Sequence, residues 1–320
     1  MRTRVASGLA LLVFMPVAAT AAGLATTNES ALARGFAIPA YGQTDVPAAG
    51  ADGYVVSLDL SSEFEEQEEG AEALRLDGET QRWTLRYRRG FAASWEANVE
   101  VPLLHVGGGF LDSAIENWHD FFGLPEGGRD DAPRDRFSYR YVRDGVSELA
   151  VEDGGTGLGD VRIGIGRALT DGLVLRAQLK LPTGDEDLLG GGNLGGATWL
   201  DWALPMPKGS GLSGFLSGGV SAQQHADAMP SRMQNDVIPF GGFGLGARVL
   251  DGFEILAQLE AHAPLFDHTE MDALQRAGLQ FTLGARWCFS ESHCLELSFT
   301  EDPVVASSPD FSVRAAFVAR

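Results

Sequence analysis

Few side chains in this chain are spaced for chemistry. Cys288 and Cys294 flank the short stretch Phe289 to His293. Two thiols brought that close in an oxidising compartment favour a disulfide that staples a turn. The alternative adds His293 as a metal ligand, but two thiols and one imidazole leave a structural zinc site one ligand short. His105 and His119 stand near Asp112 and Asp120 in a spacing that matches no familiar metal site. His105 is also the natural general base, yet a nucleophile must lie within hydrogen-bond reach of its base, and two positions on stands Gly107, not a serine. No catalytic group, metal centre or cofactor is expected. The other chemistry-bearing set is charged. Arg82, Arg86, Arg88, Arg162, Arg176, Lys180, Arg248, Arg286 and Arg314 share one side of their segments with Asp59, Glu63, Glu96, Glu100, Asp160, Asp201, Glu254, Glu260 and Glu296. Balanced charges on one face suit ion pairing or a polar passage, not a single-sign selectivity ring.

That face follows from a period of two. Trp95, Ala97, Val99, Val101 and Leu103 alternate with Glu96, Asn98 and Glu100, and Leu279 to Trp287 repeats the pattern around Gln280, Thr282 and Arg286. Such alternation reads as a strand with one apolar and one polar face. It recurs about twelve times, in lengths suited to tilted membrane strands. Connections at Arg89-Gly90, Thr170 to Gly172, Pro205 to Ser210, Leu250 to Gly252 and Phe289 to Ser292 are short; those at 65–80, 104–157, 184–194, 223–237, 264–276 and 301–309 are long. Strict alternation of short and long predicts an all-β transmembrane antiparallel barrel with tight periplasmic turns. On that topology Tyr87, Trp95, Trp202, Phe253, Trp287 and Phe317 fall at the short-turn end of the apolar face, where an aromatic girdle belongs. Gly242, Gly244 and Gly246 share the inward face, a row that lets another segment approach the wall.

Arg2 and Arg4, the apolar run Leu9 to Ala19 and the small residues through Ala22 read as a cleaved signal peptide. The expected organisation is 1–22 leader, 23–52 periplasmic N-terminal segment and 53–320 barrel, in the bacterial outer membrane. A net charge of −20 argues against a nucleic-acid partner. The partners implied are outer-membrane lipid and lipopolysaccharide, the barrel-assembly machinery and a small-molecule solute of unknown identity. The acidic run from Glu63 to Glu69 reads as a solvated loop.

The excursion 104–157 is too long for an ordinary connection. Ser113 to Glu116 forms a capping-box pattern, after which Ile115, Trp118, His119 and Phe122 share one helical face. Phe137, Tyr139 and Tyr141 then alternate to an Arg143-Asp144-Gly145 turn signal, predicting a small hairpin to Val151.

The stretches LDGETQRWTLRYRRG (76–90), GGGFLDSAIENWHDFFGLPEGGR (107–129), GLGD (157–160) and KLPTGD (180–185) resemble an uncharacterised proteobacterial exported family described as a domain of unknown function, DUF3187. The last two are also similar to outer-membrane proteins of the phenol and aromatic meta-degradation transporter type, which implies uptake channels. The chain departs from many such barrels in ending Phe317-Val318-Ala319-Arg320 rather than on an aromatic residue. The expected function is a narrow channel for passive transport of a small molecule, constricted by 104–157. Alternatives are a non-conducting structural or assembly barrel and, more weakly, a rim lipid hydrolase built on His105.

Overall fold

In a computed structural model of the chain, residues 23–113, 133–303 and 308–320 are described. The strands are β1 (Asp52–Glu69), β2 (Glu72–Ala92), β3 (Trp95–Gly107), β4 (Ser138–Arg143), β5 (Val146–Val151), β6 (Gly155–Leu158), β7 (Arg162–Thr170), β8 (Leu173–Lys180), β9 (Gly195–Ala203), β10 (Leu212–Gln223), β11 (Val237–Leu250), β12 (Phe253–His262), β13 (Gly278–Cys288), β14 (His293–Glu301) and β15 (Phe311–Ala319). Each barrel strand pairs antiparallel with its neighbours, and β15 closes on β1 in a register that sets Leu58 against Ala315. β6 and β7 pair with successive parts of β3 and act as one strand, while β4 and β5 form a hairpin beside upper β2. The wall is therefore a closed twelve-stranded antiparallel barrel.

The two faces have opposite chemistry. Outward side chains such as Trp83, Leu85, Ile165, Leu179, Leu200 and Leu283 are exposed, whereas the inward charged residues are buried. Exposed apolar side chains outside and buried charge within suit a wall solvated by lipid. Trp202, Trp287 and Phe317 are exposed toward the short-turn end of that wall, forming the expected girdle. The tight turns there use glycine where the backbone is left-handed: Gly252 has φ +75°, and a Cβ on it would lie 2.5 Å from the Cys288 carbonyl oxygen.

The connection expected at 65–80 is instead strand. β1 and β2 stay paired until Glu69 meets Glu72, well past the rim where β15 begins at Phe311. Above the rim the polarity of β2 inverts. Leu74 and Leu76 are buried on the lumen side, while Arg75 pairs with Glu66 on the outside. Outside the membrane there is no lipid to reward an apolar outer face, so the pattern used to find strands fails there. The β4–β5 hairpin extends this sheet, and its Tyr139 and Tyr141 join Met233, Leu265, Phe266 and Met271 in an apolar dome over the barrel mouth.

Glu65 stands on this extension. Burial, then the nearby Asp310 and Glu63 carboxylates, push it up to about 7. A carboxyl raised in the fold adds its stability while protonated, below the ordinary carboxylate range, and loses it as pH rises through about 7. Hydrogen exchange in upper β1 is therefore expected to be faster at pH 8 than at pH 5.5 after correction for intrinsic rates. The difference should vanish in Glu65→Gln, and a pH dependence unchanged in that variant would refute this.

Residues 23–49 do not lie in the periplasm as expected. They pack inside the barrel, where Leu24, Ala31, Phe36, Ala37 and Tyr41 are buried. The segment climbs from Gly23 beside Arg286 to a turn at Ala33–Gly35 under the dome, where the Phe36 ring meets Phe266 edge-on at 5.4 Å. It then descends past Tyr41 and Asp45 to join β1 through a tight turn at Ala48–Ala51. A segment with this apolar content gains more from the interior than from solvent, and the paired groups of the wall offer it hydrogen bonds.

Candidate functional site

The lumen is the candidate site, and strand register assembles its charged lining. Arg86 faces Glu100 across β2 and β3, and Arg286 faces Glu296 across β13 and β14, so inward parity brings opposite charges together. On one wall Arg176 holds Glu96 at 2.9 Å and Asp201 at 2.6 Å, Arg88 holds Glu96 at 2.6 Å, and Arg82 and Arg86 share Glu100 at 2.9 and 2.6 Å. Opposite, Arg286 pairs with Glu296 and Glu254, and Arg314 with Glu296 and Asp59.

The N-terminal segment is wired into both networks. Arg82 donates to Glu29 at 2.9 Å, Arg162 to the Ile38 carbonyl at 2.6 Å, Arg176 to the carbonyls of Gln43 and Asp45, and Arg286 to that of Gly23 at 3.1 Å. Gly42 N–H donates to Asp201 at 2.7 Å, the Thr26 hydroxyl to Glu260 at 2.5 Å, and Ser30 and the Ala31 N–H to Glu63. Between these polar walls β9 to β11 present rings and glycines. Tyr41 stacks on Phe240 and donates to the Gly241 carbonyl at 2.9 Å. The inward Phe215 ring is clasped by backbone: a Cβ on Gly23 would fall 2.6 Å from it and one on Gly42, at φ +87°, 2.9 Å. Gly244 meets the same ring from the wall. Of the glycine row, Gly242 meets the Tyr41 ring of the N-terminal segment, where a Cβ would lie 2.9 Å from it.

Lys180 and Asp160 form a knot at the outer rim. Asp160 accepts from Lys180 and from the N–H groups of Thr183, Gly184 and Gly192, while Lys180 also donates to Asn193. This gives the GLGD and KLPTGD stretches a physical role, tying down the loop 181–194. Asn193 in turn donates to the Gly35 carbonyl at the turn of the N-terminal segment, 2.9 Å away.

The remaining sites expected from the sequence separate. Arg248 lines an open cavity of about 600 Å³ at the short-turn end, with Thr44, Asp45, Met206 and Lys208. His105 faces outward, its Nδ1 2.9 Å from the Thr156 hydroxyl; among the described residues no serine bonds it. Asp112 accepts from the Asp135 N–H at 2.7 Å. Ile115, Trp118, His119 and Phe122 lie outside the described residues. Cys288 and Cys294 are joined in a disulfide across the β13–β14 hairpin, which removes both thiols as metal ligands. Sequence reasoning missed Glu29, Arg34 and Tyr41. The available signal was the apolar content of 23–41, with Leu24, Leu32, Phe36 and Ile38 too numerous for a solvated linker.

A closed barrel with an apolar exterior, an aromatic girdle and a buried charged lumen is an outer-membrane β-barrel. The family described as "Protein of unknown function (DUF3187)" matches residues 17–317, and the chain belongs to it. Among solved structures it is similar to the COG4313 outer membrane channel from Pseudomonas putida F1, at 16% identity over 87% of this chain and 98% of that one, with a TM-score of 0.57. Fainter likenesses reach the NanC porin (8% identity, 84% and 100% of the two chains, TM-score 0.44) and the toluene transporter TodX of P. putida (10%, 91% and 97%, 0.38). These likenesses concern the fold. Comparison with curated proteins gave no match.

Proposed function

We propose that the protein is an outer-membrane channel for a small polar solute, held closed in this conformation by its own residues 23–49. The carrying observation is that the lumen of a twelve-stranded barrel is filled by a segment that stands, among the described residues, outside the wall's strand ladder; its backbone bridge from Ala49 to Gly90 lies at the exit turn. Remove it, and a passage lined by arginine and carboxylate side chains remains. A twelve-stranded wall lies between the eight strands that side chains fill and the 16–18 that leave an open aqueous channel. The dome, to which the 104–157 excursion contributes Tyr139, Tyr141 and Leu149, is the proposed outer constriction.

Planar-bilayer conductance tests this. The full chain should stay near baseline, while a chain lacking residues 24–46 should show discrete channels at least about tenfold above it. Baseline current in both, with heat-modifiable gel mobility confirming that the deletion folds, would leave the non-conducting structural reading. The paired, buried wall charges are what favour that second reading.

A further inference from the structure

A small cavity of about 30 Å³ lies between the N-terminal segment and the wall, lined among others by Arg34, Arg82, Arg162, Thr27, Asn28 and Asp160. The three arginines are each at least nine-tenths buried. Asp160 is committed to Lys180 and the loop N–H groups. Arg82 is shared by Glu29 and Glu100. Arg34 and Arg162 form no ion pair with any described carboxylate. Arg34 spends its terminal nitrogens on the Leu188 and Glu29 carbonyls and the Thr80 hydroxyl, and Arg162 donates to the Ile38 carbonyl. Glu100, between Arg86 and Arg162 in the register, is bonded by Arg82 and Arg86 instead. The Nε atoms of both Arg34 and Arg82 are buried without a hydrogen-bond partner.

Guanidinium groups do not lose their charge in proteins, so burial cannot be relieved by deprotonation. Glu63 lies near Arg34, and Glu100 and Asp160 near Arg162, but each is bonded to other donors. Two buried cations with no carboxylate in direct contact, beside unpartnered N–H donors and an empty space, leave room for a counter-ion. Water would satisfy the donors but not the charge. The volume, about twice what one water needs, limits the guest to a halide or a formate-sized carboxylate.

We infer that this cavity is a binding site for a small monovalent anion, which bridges Arg34 of the N-terminal segment to Arg82 and Arg162 of the wall. Because one ligand-bearing residue is on the segment and two are on the barrel, the anion binds only the seated segment and stabilises it by mass action. The inference does not depend on conduction, since it concerns seating alone.

The test uses the full-length protein in detergent. Thermal unfolding in chloride, bromide or formate should lie about 3 °C above that in gluconate at equal ionic strength. Crystals grown with bromide should show an anomalous peak between the three arginines. Arg34→Gln and Arg162→Gln should each lose the increment, and Arg232→Gln, on the outer surface, should keep it. Equal unfolding temperatures in all four salts, which indicates screening only, or no bromide peak, would overturn the assignment. The wild-type salt series decides even if an arginine variant fails to fold.

Discussion

Arg176→Ala is expected to destabilise the barrel by about 3–5 kcal/mol, the cost of removing one partner from a buried ion-pair network. Arg176 is 4% exposed and binds four acceptors: the Glu96 and Asp201 carboxylates and the carbonyls of Gln43 and Asp45. Its loss leaves Glu96 with Arg88 as its ion-pair partner and deprives Asp201 of its cation, with the Trp199, Ser217 and Gly42 donors remaining. Arg176→Lys should recover only part of the loss, because a single ammonium cannot span a planar fork's acceptors. Urea midpoints of refolding into lipid measure both variants. An unfolding free energy within about 0.5 kcal/mol of wild type would mean that the network is not charged as drawn.

Phe215→Ala should act on the occupant rather than the wall. The ring is 3% exposed and touches Gly23 and Gly42 of the segment as well as Gly244 opposite. Truncating a buried phenylalanine costs about 3–5 kcal/mol. The strand ladder of β10 with β9 and β11 is backbone and survives the change. The lost packing falls largely on the seat of residues 23–42. If about 3 kcal/mol of it does so, the unseated population rises on the order of a hundredfold. The full-length variant should therefore leak in bilayers where wild type does not. A thiol placed at Ala37, buried in wild type, should become reactive at a correspondingly higher rate. Wild-type leak and wild-type labelling together would show that Phe215 does not hold the segment.

Much of the wall was legible. Inward parity of Glu96, Glu100 and Arg286 follows from period two, and the short turn at Asp251-Gly252 carries its own signal. The hairpin between Ser138 and Val151 was legible for the same reason, with Asp144-Gly145 at its turn. The extension at 65–80 was not, because its outer face carries Glu66, Glu68 and Arg75 and so lacks the lipid-facing alternation that marks a membrane strand. The location of 23–49 was not legible either: it has neither strand period nor helix period, and its partners are remote.

What the sequence by itself determined is therefore local: an exported β-barrel, the faces of its strands, the end that holds the girdle and the nearness of Cys288 to Cys294. These depend on spacing within one strand or across one turn, where periodicity carries the information. Only the tertiary structure decided that residues 23–49 fill the lumen and which arginine meets which carboxylate. Thr26 and Glu260 are 234 residues apart, and Arg176 and Gln43 133. Such contacts depend on barrel closure and on the space inside it, and no local pattern encodes either.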